Sequence, residues 1–222
     1  PLAIRWPKGI KNSDRVFPGP VNLSSLAPTF LKAAGLVVPD MMIASSLQDI
    51  FENKPEVARV SAFIAMERHD GCRKGGKGYP SRAIRTKDYM YILNHKPDRW
   101  PAGNPDREFC ARYIPFGEVD SSPTKSLLMD NKGKVDFKQF YNLAFAKRPA
   151  EELYDLTKDP GQIINLAGKP KYIQIQRKLA AKLQEHLVRT KDPRALGLDA
   201  PWDYYPYYGL RRNKKWQVDP KP

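Results

Sequence analysis

The chain shows few long periodic stretches, so its elements are read from short windows. Leu2 to Trp6 is an apolar run closed by Pro7 and Gly9, which predicts a short strand. Leu26, Phe30, Leu31 and Ala34 fall on one face at helical spacing. Ser24 or Ser25 caps that predicted helix, Pro28 is tolerable in its first turn, and Gly35 is its stop. A second short helix is expected over Ser45 to Phe51. Val60 to Met66 reads as a buried strand that runs straight into four ionisable residues, Glu67, Arg68, His69 and Asp70.

Gly71 to Gly78 carries four glycines among basic residues and reads as a flexible loop. It lacks the spacing of a phosphate-cradling motif. Ser81 to Thr86 and Tyr89 to Leu93 flank Lys87-Asp88, the signature of a hairpin with a two-residue turn. His95 to Asn104 is a Pro-rich ordered loop, and residues 105 to 145 show no clear period. Glu151 to Leu156 is a further strand, closed by Lys158-Asp159-Pro160-Gly161. Pro170 to Arg189 then carries Tyr172, Ile175, Leu179, Leu183 and Leu187 every three or four positions. This is a helix whose apolar stripe should lie on a sheet. The aromatic, Pro-rich stretch from Pro201 to Tyr208 is expected to pack on its own protein, with stacking on sugar rings or bases as the other use of such a tail.

The fold class that follows is α/β with α+β. Residues 1–78 are expected to form the end of a layered α/β domain, residues 79–200 a small antiparallel sheet covered by a C-terminal helix, and residues 201–222 a tail.

Composition narrows the function. With 41% hydrophobic and 28% charged residues the chain is globular, and no apolar run reaches the roughly 18 residues that a membrane span needs. Its net charge of +14 favours polyanionic partners, nucleic acid or sulfated polysaccharide. The Lys and Arg residues are scattered and form no dense block, which argues against a nucleic-acid arm. Cys72 and Cys110 are too few for a metal cluster; they are either free or one disulfide.

Three blocks, in order, resemble the sulfatase family: Pro1-Leu-Ala-Ile-Arg-Trp-Pro-Lys-Gly9, Ser25-Leu-Ala-Pro-Thr-Phe-Leu-Lys-Ala-Ala-Gly35, and Glu152-Leu-Tyr-Asp-Leu-Thr-Lys-Asp-Pro-Gly161 with Asn165-Leu-Ala167. Glu67 to Asp70, Tyr79 to Thr86, Tyr91 to Asn94, Ser122 to Thr124 and Arg148 to Asp155 resemble its N-sulfoglucosamine sulfohydrolase (heparan N-sulfatase) branch.

The resemblance implies the C-terminal part of an alkaline-phosphatase-like fold, acting on a sulfated glycan of heparan type in a periplasmic or secreted setting. It implies a formylglycine nucleophile and a Ca²⁺ site, both expected upstream of Pro1. No catalytic residue and no metal ligand are therefore expected in this chain, and the missing N-terminal portion becomes its partner. Ser121-Ser-Pro-Thr-Lys-Ser-Leu-Leu128 superficially resembles the nucleophile motif and its Leu-Leu sequel, but Lys125 stands where that motif has Arg and the position is too far downstream. The residues expected to line the substrate pocket are Glu67, Arg68 and His69 after the strand, with Arg82, His95 and Arg99. The alternative is a non-catalytic binding module for anionic polysaccharide.

Overall fold

A computed structural model describes residues 2–12, 14–52, 59–209, 213 and 215–220. Pro1 of the first resemblance block and several residues of the tail lie outside these. The chain forms two compact units, residues 1–63 with 85–89, and residues 64–84 with 90–222.

In the first unit, Leu2 to Trp6 is not a strand. A strand needs a neighbouring strand for its peptide groups; these residues have none among the described residues, and the Trp6 carbonyl instead accepts the Gly9 and Ile10 N–H groups of a turn. They run mostly exposed to Trp6, whose ring meets Phe51 edge-on at 6.0 Å. Helix α1 spans Leu26–Ala33 and ends as expected. Gly35 takes a φ of +73°, and the Leu36 N–H reaches back to the Leu31 carbonyl at 2.8 Å. Its start differs from expectation. A single turn over Leu23–Ser25 precedes it, and the Asn22 side chain, not a serine, accepts the Ser24 N–H at 3.0 Å. Phe30, expected on the buried face, is exposed. Helix α2 is only Gln48–Phe51 and is tied to α1, because Thr29 Oγ1 accepts the Leu47 N–H at 2.8 Å.

The second unit holds most of a four-stranded antiparallel sheet in the order β1 (Ala62–Met66), β2 (Ser81–Arg85), β3 (Tyr89–Asn94) and β4 (Glu151–Asp155). The hairpin falls where the pattern placed it, although three residues, Thr86 to Asp88, join its strands. β1 is an edge strand and is not buried as expected: Ile64 and Met66 are exposed. The central strands β2 and β3 bury Ala83, Ile84 and Tyr91, and the other edge strand, β4, buries Leu153. Helix α5, Ile173–Arg189, buries Gln176, Leu179, Leu183 and Leu187, which is the expected stripe shifted by one position at its start. The Gln176 amide donates to Glu151 of β4 at 2.7 Å, which sets the helix against that strand.

Residues 105–145, which lack a clear period, contain helices α3 (Pro123–Asp130) and α4 (Val135–Phe145). Their periodicity is weak for a physical reason: α4 fully buries Phe145 but leaves Val135 and Phe140 exposed. Phe145 stacks on Phe116 at 4.6 Å, and Ala102, Trp100, Tyr141 and Leu128 close a small core around them. Helix α3 is fixed by its cap. Ser122 Oγ accepts the Lys125 N–H at 3.1 Å, and Pro123 sits in the first turn. Ser122→Ala is expected to lower stability by about 1 kcal/mol, read from chemical denaturation at constant m-value.

Candidate functional site

Glu67 to Asp70 leaves the end of β1 as a polar turn, and two clusters grow from it. The first is a chain of ion pairs. The Glu67 carboxylate accepts from Arg82 at 2.6 Å and from Arg194 at 2.7 and 3.1 Å. Arg82, only 2% exposed, also donates to Asp192 at 2.7 Å and to the Met66 and Ser81 carbonyls. Arg194 donates to both Asp203 oxygens at 3.1 Å, and Arg99 lies 3.9 Å from the same carboxylate while donating to the Gly78 carbonyl. Burial alone would raise the Glu67, Asp192 and Asp203 carboxyl groups. The arginine hydrogen bonds more than offset it and hold all three below their ordinary values.

His95 belongs to the same neighbourhood. Burial, then the Arg82 charge, lowers its pKa, and its Nε2 is buried without a hydrogen-bond partner. The structure thus brings Glu67, Arg82, His95 and Arg99 together, along with Asp192, Arg194 and Asp203, which the sequence did not single out.

The second cluster holds His69. Its imidazole is 77% exposed, and Nδ1 lies 2.8 Å from Glu118 Oε2. The other Glu118 oxygen accepts from Arg73 at 2.8 Å. Arg73 is 3% exposed and donates also to the Trp100 and Pro101 carbonyls at 2.6 Å each. A carboxylate anchored by a buried guanidinium therefore holds one ring nitrogen and fixes how the ring is presented to solvent. Glu118 and Arg73 gave no sign in the sequence, because one lies in the aperiodic stretch and the other in the glycine-rich loop.

That loop, expected to be flexible, is largely covered. Gly71, Cys72, Arg73, Gly76 and Gly78 are buried. The tail covers it. Arg68 donates to the Tyr205 carbonyl at 2.7 Å and to that of Pro206 at 3.5 Å, and the Tyr207 hydroxyl donates to Asp70. Asp70 also forms an ion pair with Arg112, whose Nε lies 3.0 Å from the other carboxylate oxygen. The Tyr207 and Trp216 rings meet edge-on at 5.2 Å, and the Asp219 N–H donates to the Gly75 carbonyl. The aromatic tail therefore packs on its own protein.

Ser122, in the decoy motif, caps helix α3 through its hydroxyl, and Lys125 is buried with Nζ on the Phe116 and Val119 carbonyls. Among the described residues there is no group of three or more His, Cys, Asp or Glu able to hold a metal ion. No described helix is long and apolar enough to cross a membrane.

Comparison with known proteins adds the following. No family model matches the chain. An ulvan-active sulfatase of Formosa agariphila is 28% identical over 182 residues, covering 81% of this chain and 31% of that protein. An N-acetylglucosamine-6-O-sulfatase of Bacteroides thetaiotaomicron is 24% identical over 196 residues, or 86% of this chain and 25% of that protein. A delta 4,5-hexuronate-2-O-sulfatase of the same species is 49% identical, but over 51 residues. Among solved structures, BT4656 in complex with its substrate D-glucosamine-2-N,6-O-disulfate is 22% identical with a TM-score of 0.46, covering 77% of this chain and 25% of that one. The chain spans less than a third of the length of the curated relatives it matches.

Proposed function

We propose that this chain, a homologue of the C-terminal part of the sulfatases, supplies one wall of the substrate pocket of a sulfatase that hydrolyses sulfate esters or N-sulfates of a sulfated glycan, of heparan type. The observation that carries the site is His69. It is an exposed imidazole held by Glu118, which is itself locked by the buried Arg73. A sulfated sugar offers anionic oxygens and hydroxyls, and a fixed imidazole can hydrogen-bond either. Arg68, held by tail carbonyls, stands beside it. Glu67, Arg82, His95 and Arg99 lie behind the same turn, where they hold it in place. The net charge of +14 suits a polyanionic substrate better than a neutral one.

The formylglycine nucleophile and the calcium that polarises the sulfate oxygens are assigned to the remainder of the relatives' length, and the protein to a periplasmic or secreted setting. The first unit supports the need for that remainder as a partner. Val16, Leu23, Val37, Met41 and Ile43 are all more than two-thirds exposed. These apolar side chains are available for burial against that remainder.

The test is sulfate release. The protein joined to its upstream sequence is incubated with heparan-type oligosaccharides carrying N-, 2-O- or 6-O-sulfate, and free sulfate is measured by ion chromatography. Release from at least one substrate is expected. Binding of the same oligosaccharides with no release from any of them would leave the non-catalytic polysaccharide module as the better reading.

A further inference from the structure

Cys72 and Cys110 lie 38 positions apart in sequence and meet in space. The Ala111 N–H donates to the Gly71 carbonyl at 2.6 Å, so the two chain segments run side by side with Cys72 next to Cys110. The Asn104 N–H donates to the Cys72 carbonyl at 2.8 Å and holds the same segment from the other direction. Both side chains are 0% exposed. Gly117 lies between them: a Cβ there would stand 2.6 Å from Cys110 Sγ and 2.7 Å from Cys72 Cβ. Those two atoms are therefore within about 5.3 Å of each other, without room for a side chain between them. Both thiols are free in the structure, and two cysteines of adjacent segments at such a separation are within reach of a disulfide.

We propose that Cys72 and Cys110 are a disulfide pair, formed while the chain folds and closed off once it has folded. The assignment is independent of the substrate reading. Its place in the fold gives it a purpose. The segments it joins, 71–78 and 95–118, contain no strand and only single helical turns, so they are held by turn and loop hydrogen bonds without the ladder of a sheet or a long helix. These segments nevertheless carry Arg73 and Glu118, and Asp70 adjoins them.

The chemistry needs an oxidant of the disulfide class, such as oxidised glutathione or a thiol–disulfide oxidoreductase. One cysteine thiolate attacks a sulfur of the oxidant, expels a thiolate and forms a mixed disulfide. The other cysteine thiolate then attacks the protein sulfur and expels the second thiol. Two electrons and two protons pass to the oxidant, which becomes two thiols. The Arg73 guanidinium and the buried Lys125 ammonium favour a nearby thiolate, whereas Glu118 and Asp70 oppose it. Burial dominates and raises the Cys72 thiol far above its ordinary value, so exchange belongs to the unfolded or partly folded chain.

The experiment is a thiol count. Denatured, reduced protein is refolded in a buffer of reduced and oxidised glutathione, then denatured again in N-ethylmaleimide and weighed. The expected outcome is no alkylation at either cysteine, a mass about 2 Da below the reduced chain, and a cross-linked peptide pair containing Cys72 and Cys110. Reduction of the folded form should lower its thermal midpoint by roughly 5–15 °C. Where the reduced chain does not refold, protein exported into an oxidising compartment is alkylated on harvest and counted in the same way. Two alkylated thiols, or glutathione attached to either cysteine, in the refolded or the exported protein would overturn the proposal.

Discussion

Arg82→Ala is expected to destabilise the folded chain by about 3–5 kcal/mol, the usual cost of removing one partner from a buried ion pair. The reason is the number of groups that Arg82 satisfies. It donates to Glu67, Asp192 and two backbone carbonyls, and it is 2% exposed. Its removal leaves Asp192, which is 14% exposed, with backbone N–H donors but no guanidinium, and leaves Glu67 dependent on Arg194 alone. Differential scanning calorimetry against the parent protein reads the loss directly. A shift no larger than that of a surface substitution, within about 0.5 kcal/mol, would mean that the network is not an essential part of the fold.

The same cluster predicts the acid limb of stability, in two steps. His95 has a folded pKa below 6.5, through burial first and the Arg82 charge second. The unfolded chain therefore takes up a proton that the folded chain resists, and stability falls as pH drops below that value. His186, also lowered by burial, adds to this step. The carboxyl groups act further down. Glu67, Asp192 and Asp203 are held below their ordinary values of 4.5 and 3.8, so their contribution is complete at neutral pH. It is lost as pH falls from those ordinary values through the folded ones. Midpoints measured between pH 8 and 5 should decline below about 6.5, and His95→Gln should flatten that decline without abolishing it.

How much of this was legible in the sequence depends on whether the signal was local. The hairpin 81–94, strand β4 and helix α5 were readable because period and turn residues lie within each window. Leu2 to Trp6 failed because a strand is defined by its neighbour, and none is present among the described residues. Helices α3 and α4 escaped because their buried faces are narrow; for α3 the Ser122-Pro123 cap was the readable clue. The candidate site divides in the same way. Glu67 to His69 stood out as an abrupt change from apolar to ionisable residues. Their partners come from far along the chain: Glu118 is 49 residues from His69, and Arg194 is 127 residues from Glu67. No window of sequence contains such a pair.

Resting on the proposed function, His69→Ala is expected to lower kcat/KM for sulfate release by roughly 10- to 150-fold, the equivalent of one hydrogen bond to a charged group. The thermal midpoint should hardly move, because the side chain is 77% exposed and its loss uncovers little. That combination separates a substrate contact from a structural role, in which stability and activity would fall together. Glu118→Gln gives the complementary result. It keeps the shape but removes the charge that holds His69 Nδ1, and it leaves Arg73, at 3% exposure, among neutral acceptors alone: the new amide oxygen and the Trp100 and Pro101 carbonyls. Activity should drop by about tenfold through a less well fixed imidazole, and here the midpoint should fall as well, since a buried guanidinium has lost its counter-ion. In the double variant the activity losses should not add, because Glu118 acts on substrate only through His69. Full additivity would show that the two side chains contribute separately and would remove the basis for treating Glu118 as a positioning residue.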